Sequence, residues 1–570
     1  MTTRIMDGGD TLIEVLNANG VEYIFASPGS EWPPLWEALS RRKAEGEKAP
    51  EYITCRHEAL AVGAAAGYYR STGKLPAVVM HTTVGTVNAA TALRGSLHDG
   101  TPMVVVSGES IGYGDMPGKD PGSQWLQELS DIGGPEKLVA PVMKWTATVR
   151  ARETLSDTFH RACRIAMESP RGPVYVDAPL EIMLQQIETR IAEPPEIEAS
   201  FTADERTLGE IANLLVGAEH PVVITEMMGR DPESVAPLVE IAEKLGLPVV
   251  EAATVGATNF PTDNPMHQGF ESRPFLAAAD VVLLLDSPVP WHPPTAGPGE
   301  SAKIINFSPD PDLHLRPYGP YPAHIVVRGD AGHNLRSLAA FVRETVLDDA
   351  TKAKIEARRT TLTAAHKARR SEMTEAALAL KDQEPISSLW AAHAINDAIP
   401  DHALVVWELI THRRVMERYL DRRTPGETLR SFGGLGQGLP NALGVKTANP
   451  DRLVVCLIGD GAFNYNPVLA CYGYAQQHNQ PFLTIIMNNL MYKSQQGSIN
   501  RTYPDGVGKD LGPSFITGIT PHPDYPKLVE AFGGWGALVT KPDQIIPVLK
   551  EAIAKVEAGQ SALVDILLNE

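Results

Sequence analysis

Cysteine is scarce: Cys55, Cys163, Cys456 and Cys471 are the 4 in the chain, widely spaced and with no CxxC pair. That argues against a disulfide framework or a zinc ribbon and fits a reducing cytoplasm. Basic charge is in deficit. A formal net charge of -19 argues against nonspecific binding to nucleic acid or to an anionic membrane, while leaving room for a local basic pocket. No run reaches the ~18 apolar residues of a membrane span. The opening MTTRIMDGGDTL has neither the basic flank nor the apolar core of a signal peptide, so the expected location is the cytoplasm. No internal repeat is visible, and the middle of the chain has no GxGxxG.

What is present is the composition of an ordinary globular protein, 43% hydrophobic and 21% charged. A chain of 570 residues exceeds the ~250–300 at which single cores stop growing, so two to four domains are expected. Strand-like and helix-like pieces alternate through three segments. The spacing predicts a helix over 10–20, with Asp10 as N-cap and Gly20 as stop. It predicts strands at 21–30, 76–81 and 103–110, and a tightly packed helix at 58–69. The Pro/Glu-rich stretch 187–200 reads as a linker. Strands are expected at 221–226, 248–252, 281–286 and 324–327, and a charged helical connection at 350–373. Further strands follow at 403–408, 453–460, 482–489 and 562–568. Such alternation predicts an α/β fold of three Rossmann-like parallel-sheet domains, at 1–186, 200–348 and 384–570.

One strand ends unusually. The apolar run 453-LVVCLIGDG-461 finishes on Asp460 between two glycines, and an unpaired buried carboxylate is expensive. Glycines let a ligand approach the backbone, and the next helix offers free N–H groups to a phosphate. Downstream, Asn488 and Asn489 close the run 482-FLTIIM-487. In a parallel sheet both strand ends share the carboxyl edge, where α/β proteins bind ligands. A carboxylate, an amide oxygen and a backbone carbonyl form a hard oxygen set suited to Mg²⁺ that shares its other positions with phosphate and water. GDG by itself also marks ordinary turns, and NN alone is weaker still.

Together, with 26 residues between Gly461 and Asn488, they resemble the GDG…NN motif of thiamin-diphosphate (ThDP) enzymes. The resemblance extends over nearly the whole chain. The stretch 433-GGLGQGLPNALGVKTANPDR-452 followed by GDGAF is similar to the decarboxylase and acetolactate-synthase branch, which has pyrimidine-binding, middle and diphosphate-binding domains. It implies that Asp460 and Asn489 ligate Mg²⁺ with the backbone oxygen of Met491, Asn488 being the competing amide. It implies that Leu435 bends the cofactor into a V and that the Gly433 carbonyl meets the aminopyrimidine. Gly461, Ala462 and the loop carrying Thr411 and His412 would reach the diphosphate. Glu58, in 55-CRHEAL-60, would hold the aminopyrimidine ring nitrogen and drive loss of the C2 proton; read alone, it is an acid stabilising a helix N-terminus. In this family the two cofactor domains of one site come from different chains, so a homodimer or homotetramer is implied.

On the substrate side the pattern is mixed. Ser30, His81 and His292 resemble the serine and two histidines of benzoylformate decarboxylase. Gln127 resembles a glutamine of benzaldehyde lyase and acetolactate synthase. Histidines titrate near neutrality and suit proton transfer; read alone, Ser30 is a helix cap and a lone histidine is structural. Gln495 stands where pyruvate decarboxylases keep a glutamate, which argues against that activity. The polar 490–501 reads as a lid, with Lys493 and Arg501 either meeting a substrate anion or simply solvated. The implied activity is a ThDP- and Mg²⁺-dependent lyase acting on a small 2-oxo acid, with carboligase capability. The alternatives are an acetolactate-synthase-like carboligase, a 2-hydroxyacyl-CoA lyase acting on an aldehyde or acyl-CoA, and, last, a non-catalytic subunit that kept the fold.

Overall fold

The computed structural model describes residues 3–110, 122, 124–127, 131–190, 193, 201–252, 256–430, 433–512 and 515–568. The N-terminal unit contains β1 (Thr3–Met6), β2 (Tyr23–Ser27), β3 (Glu51–Thr54), β4 (Ala77–Met80), β5 (Met103–Ser107), β6 (Trp145–Thr148), β7 (Pro173–Asp177) and β8 (Ile187–Arg190). The middle unit contains β9 (Pro221–Thr225), β10 (Val249–Glu251), β11 (Val281–Leu285), β12 (Lys303–Ser308) and β13 (Ile325–Arg328). The C-terminal unit contains β14 (Leu404–Glu408), β15 (Thr428–Arg430), β16 (Val454–Gly459), β17 (Leu483–Asn488), β18 (Trp535–Val539) and β19 (Ala562–Leu567).

Each unit is built on one sheet with parallel pairings, in the orders β3-β2-β4-β5-β7-β6, β10-β9-β11-β12-β13 and β15-β14-β16-β17-β19-β18. The fold is α/β on three Rossmann-like sheets. The first and third orders are the same, position by position. Both reverse direction beside their first strand, between β2 and β4 and between β14 and β16. Such a switch point leaves a crevice at the carboxyl edge.

The strands legible in sequence include central ones buried on both faces, such as Ala77–Met80 and Met103–Ser107, and the two edge strands of the middle sheet, Val249–Glu251 and Ile325–Arg328. The middle sheet's interior strand Lys303–Ser308, which opens on an exposed lysine, is absent from the expected set. The edge strands β3 and β15 are short, and β3 shows water two of its four residues. The expected linker 187–200 is corrected at its start. Ile187–Arg190 is a strand, paired antiparallel with Thr3–Met6. The expected helix at 10–20 spans Gly8–Ala18 and is capped by Asp7, whose side chain accepts from the Asp10 N–H. Ser30 caps nothing: the helix Pro33–Glu45 begins after Trp32, with no side-chain cap. Asp460 is not the end of the strand but the first residue of a one-turn helix, Asp460–Phe463.

The outer units share one apolar core that runs from Phe25 to Leu563. At its centre, helix Glu58–Thr72 lies against helix Gly438–Ala448 with almost nothing between the backbones. A Cβ at Gly444 would sit 1.9 Å from the Ala64 carbonyl oxygen, and one at Gly67 would sit 2.1 Å from that of Asn441. The middle unit is tied on by a buried ion pair. Arg422 donates to Glu251 at 2.6 Å, and His267 Nε2 lies 3.0 Å from the same carboxylate. Burial pushes Glu251 up, but Arg422 and His267 outweigh it and hold the carboxyl at about 2. The 30-residue helix Asp349–Leu378 then leads into the C-terminal unit. Among the described residues, no helix is long and apolar enough to cross a membrane.

Candidate active site

Every candidate follows the carboxyl end of a strand. Ser30 follows β2, Glu58 β3, His81 β4 and Gln127 β5; Thr411 and His412 follow β14, Gly433 and Leu435 β15, Asp460 to Ala462 β16, Asn489 and Met491 β17, and His292 β11. The topology thus gathers sequence-distant residues on one edge of each sheet.

In the C-terminal unit, Gly459 pairs with Met487 across β16 and β17, so Asp460 and the two asparagines leave the sheet side by side. Asp460 is 3% exposed, and its Oδ2 is buried with no hydrogen-bond partner among the described residues. Burial pushes its carboxyl up to about 6, against donation from the Gly461 N–H and the nearby His412. The two asparagines face opposite ways, as neighbours at a strand end must. Asn488 donates to Asp565 Oδ1 of β19 at 3.0 Å, and its Nδ2 lies 3.1 Å from His522 Nε2. Asn489 points elsewhere, and its Oδ1 accepts from the Met491 N–H at 3.3 Å. The turn between them needs Leu490 at φ 57, the left-handed region. Met491 bridges to Gly518. The ring of Tyr492 covers Gly461, where a Cβ would come within 2.9 Å of it.

Two buried residues that the sequence reading passed over shape this edge. Glu408, the last residue of β14, accepts from the N–H groups of Gly436 (2.7 Å), Gln437 (3.3 Å) and Gly438 (2.9 Å). It also accepts from Asn466 Nδ2 at 3.0 Å. Burial pushes its carboxyl up to about 7, while those donors pull it back. Beyond the loop, Leu435 is half-buried against the shared core. The Gly433 carbonyl, expected to face the aminopyrimidine, accepts a hydrogen bond from Arg94 of the N-terminal unit. Thr411 is half-buried and His412 is buried at the start of helix Arg413–Tyr419.

In the N-terminal unit, Glu58 opens helix Glu58–Thr72, but the capping bond comes from His57, whose side chain accepts from the Ala59 N–H. The Glu58 carboxylate is half-exposed and accepts from Asn88 Nδ2. Gly85 lies between Glu58 and His81: a Cβ there would be 3.0 Å from His81 Cβ and 3.4 Å from Glu58 Cγ. His81 Nδ1 lies 2.9 Å from both carboxylate oxygens of Glu31. Glu31 is fully shielded from water, whereas His81 keeps 20% of its side chain exposed. The hydrogen bond to Glu31 raises the His81 pKa. The turn that presents Ser30 requires Gly29, since a Cβ would stand 1.9 Å from His81 Nδ1. Ser30, Gln127 and His292 are exposed, and among the described residues no hydrogen bond or ion pair joins His292 or Gln127 to the other candidates. The signal for Glu408 was available, since 403-ALVVWE-408 ends on an acid just as the Asp460 strand does; Glu31 follows Ser30 directly.

This arrangement offers a diphosphate a glycine-lined crevice, offers a cation an orphaned carboxylate, and sets a carboxylate and a paired histidine at the other sheet edge. The family description "Thiamine pyrophosphate enzyme, N-terminal TPP binding domain" matches residues 6–131, and "Thiamine pyrophosphate enzyme, C-terminal TPP binding domain" matches residues 411–566. The acetolactate synthase large subunit of Haemophilus influenzae is 25% identical over 96% of this chain and 92% of its own length. A probable acetolactate synthase large subunit of Methanococcus aeolicus is 24% identical over 96% of this chain and 90% of its own. In fold, the chain is similar to the thiamine diphosphate-dependent 4-hydroxybenzoylformate decarboxylase of Rhodococcus jostii RHA1, with a TM-score of 0.78, 23% identity and 99% of each chain covered. Benzoylformate decarboxylase from Polynucleobacter necessarius gives a TM-score of 0.78 at 19% identity, again over 99% of each chain. The chain belongs to the thiamin-diphosphate-dependent enzymes and carries both of their cofactor-binding domains.

Proposed function

We propose that this enzyme is a ThDP- and Mg²⁺-dependent C–C lyase, a decarboxylase of small 2-oxo acids with carboligase capability, assembled as a homodimer or homotetramer. The carrying observation is that Glu58 and His81 flank Gly85, with buried Glu31 against the His81 ring, on one sheet edge, the edge that also bears Ser30. Bound ThDP supplies the electron sink for breaking the bond beside a carbonyl. The chain's own residues do the rest. Asp460, with Asn489 and the Met491 carbonyl, would hold Mg²⁺ and through it the diphosphate; the orphaned Oδ2 of Asp460 fits that role. Asn488 is spent on Asp565, which supports Asn489 as the amide ligand. Leu435 would support the cofactor ring from below. Glu58 would meet a ring nitrogen of the cofactor and hold or release a proton at its carboxyl oxygen. Glu31 engages Nδ1 of His81, so Nε2 is the nitrogen that moves protons to and from the substrate. Ser30 donates to the substrate carboxylate. Exposed Val84 and Val87, on the helix that carries Asn88, together with exposed Leu469 and Tyr465, support a partner chain over this face.

Two observations favour cleavage or ligation of other substrates. Gln127 and the acetolactate-synthase relatives support a carboligase. A cleft of ≈ 450 Å³ between the N-terminal and middle units, lined by Arg94, Lys144, Arg171 and Arg316 and reaching Gly433, supports an anionic acyl-CoA.

The test is a panel of 2-oxo acids, 2-hydroxyacyl-CoAs and acyloins offered to the holoenzyme, with CO₂, aldehyde and formyl-CoA measured. CO₂ release from 2-oxo acids is expected; turnover of acyl-CoAs alone would overturn the decarboxylase reading. Glu58→Gln is expected to abolish C2 proton exchange of bound ThDP while leaving its affinity in place. Turnover that survives this change would refute the role of Glu58.

A further inference from the structure

Glu408 and Asn466 are both buried and lie between the two cofactor loops. Glu408 collects three backbone N–H groups from Gly436, Gln437 and Gly438, directly after Leu435. Asn466 does the same for the other loop. Its Nδ2 donates to the Ala462 carbonyl at 2.9 Å, inside the turn that opens on Asp460. That Nδ2 also donates to Glu408 Oε2 at 3.0 Å, and Asn466 Oδ1 accepts from the Leu439 N–H at 3.0 Å. The pair thus bonds to the Leu435 loop, to the Asp460 turn and to itself. The remaining space is closed: a Cβ at Gly438 would lie 3.0 Å from both Cβ and Oε2 of Glu408.

We propose that Glu408 and Asn466 act as one positioning unit that fixes the distance between the ring support at Leu435 and the metal–diphosphate anchor at Asp460. Neither residue touches the cofactor in this assignment, which rests on the reading that these two loops hold it. The physical reason is geometric. A diphosphate and a pyrimidine ring at opposite ends of one ligand need two loops held at one separation, and glycine-rich loops do not hold a separation unaided. A carboxylate is suited to the centre because it only accepts, at about four lone-pair sites, and four donors are aimed at it. An amide in its place would turn an NH₂ toward donors and release one side of the clamp. Burial makes each lost bond count, since no water replaces it.

Glu408→Gln is the near-isosteric test, read by calorimetric titration of ThDP with Mg²⁺ and by hydrogen exchange of the segments 433–440 and 460–466. The expected result is a ThDP Kd at least 10-fold weaker, with faster exchange in both segments. Asn466→Ala should show the same pair of effects, and the double variant should weaken binding no more than about twice as much as the worse single one, because the two act as a unit. Glu408→Asp, which keeps both acceptor oxygens, should recover part of the affinity. Unchanged affinity in Glu408→Gln, faster exchange confined to one segment, or effects of the two variants that multiply would overturn the proposal. If Glu408→Gln does not fold, Glu408→Asp and Asn466→Ala carry the test by the same readouts. Failure of the underlying reading looks different: Asp460→Ala, with Glu408 and Asn466 in place, would then bind ThDP with Mg²⁺ as well as the unaltered protein does.

Discussion

Asn488 donates its side-chain amide to Asp565 on the neighbouring strand at 3.0 Å, while Asn489, one residue on, leaves the sheet with its oxygen turned back to the Met491 N–H. Two identical residues therefore have separable effects. Asn489→Ala is expected to abolish Mg²⁺-dependent ThDP binding with little change in the melting temperature of the apoprotein. Asn488→Ala leaves Oδ1 of buried Asp565 without its donor, His522 remaining on Oδ2, and should cost about 1–3 kcal/mol of stability. Calorimetric titration and thermal melts of both variants check the contrast.

Asp460 makes a prediction about pH. Its carboxyl sits at about 6 in the fold, above the ordinary 3.8. A raised carboxyl favours folding below its unfolded value, and that contribution is lost as pH rises through the folded value. The apoprotein should therefore lose stability between pH 4 and 6, by on the order of 2–3 kcal/mol from this group. Asp460→Asn should flatten that part of the curve and make the apoprotein more stable at pH 7. Melts across pH 4–8 in the absence of divalent ions measure it.

The Glu31–His81 pair gives a second titration. Glu31 raises the His81 pKa, so Glu31→Gln should move the His81 midpoint to lower pH, as followed by NMR of the ring. The acid limb of the pH–rate profile should move the same way if His81 transfers the proton.

Gly444 tests the packing of the outer units. Its missing Cβ would stand 1.9 Å from the Ala64 carbonyl, and both partners are helix backbone that cannot step aside. Gly444→Ala is expected to cost about 3 kcal/mol or more, seen as a fall in the urea midpoint.

Much of this fold was legible because its central strands are buried on both faces and read as unbroken apolar runs. The edge strands of the outer units were not legible: Glu51–Thr54 is half polar and Thr428–Arg430 is three residues long. The strand Ile187–Arg190 was lost because its partner, Thr3–Met6, lies at the other end of the unit. Asp460 announced itself as an acid closing an apolar run. Glu408 gave the same signal, but its four donors come from residues 28 to 58 positions away, a relationship that only the folded topology supplies. Glu31 was hidden beside Ser30 for the same reason, since His81 is 50 residues further on.

The shared core of the outer units has a consequence for synthesis. Helix Glu58–Thr72 emerges from the ribosome early, and its docking partner, Gly438–Ala448, follows only after the whole middle unit has been made. At about 5–20 residues per second, the first unit spends on the order of 20–70 s with its most tightly packed face uncovered. During that interval the small residues that later seat the other helix, Ala64 and Gly67 among them, lie uncovered, and they offer other chains less apolar area than larger side chains would.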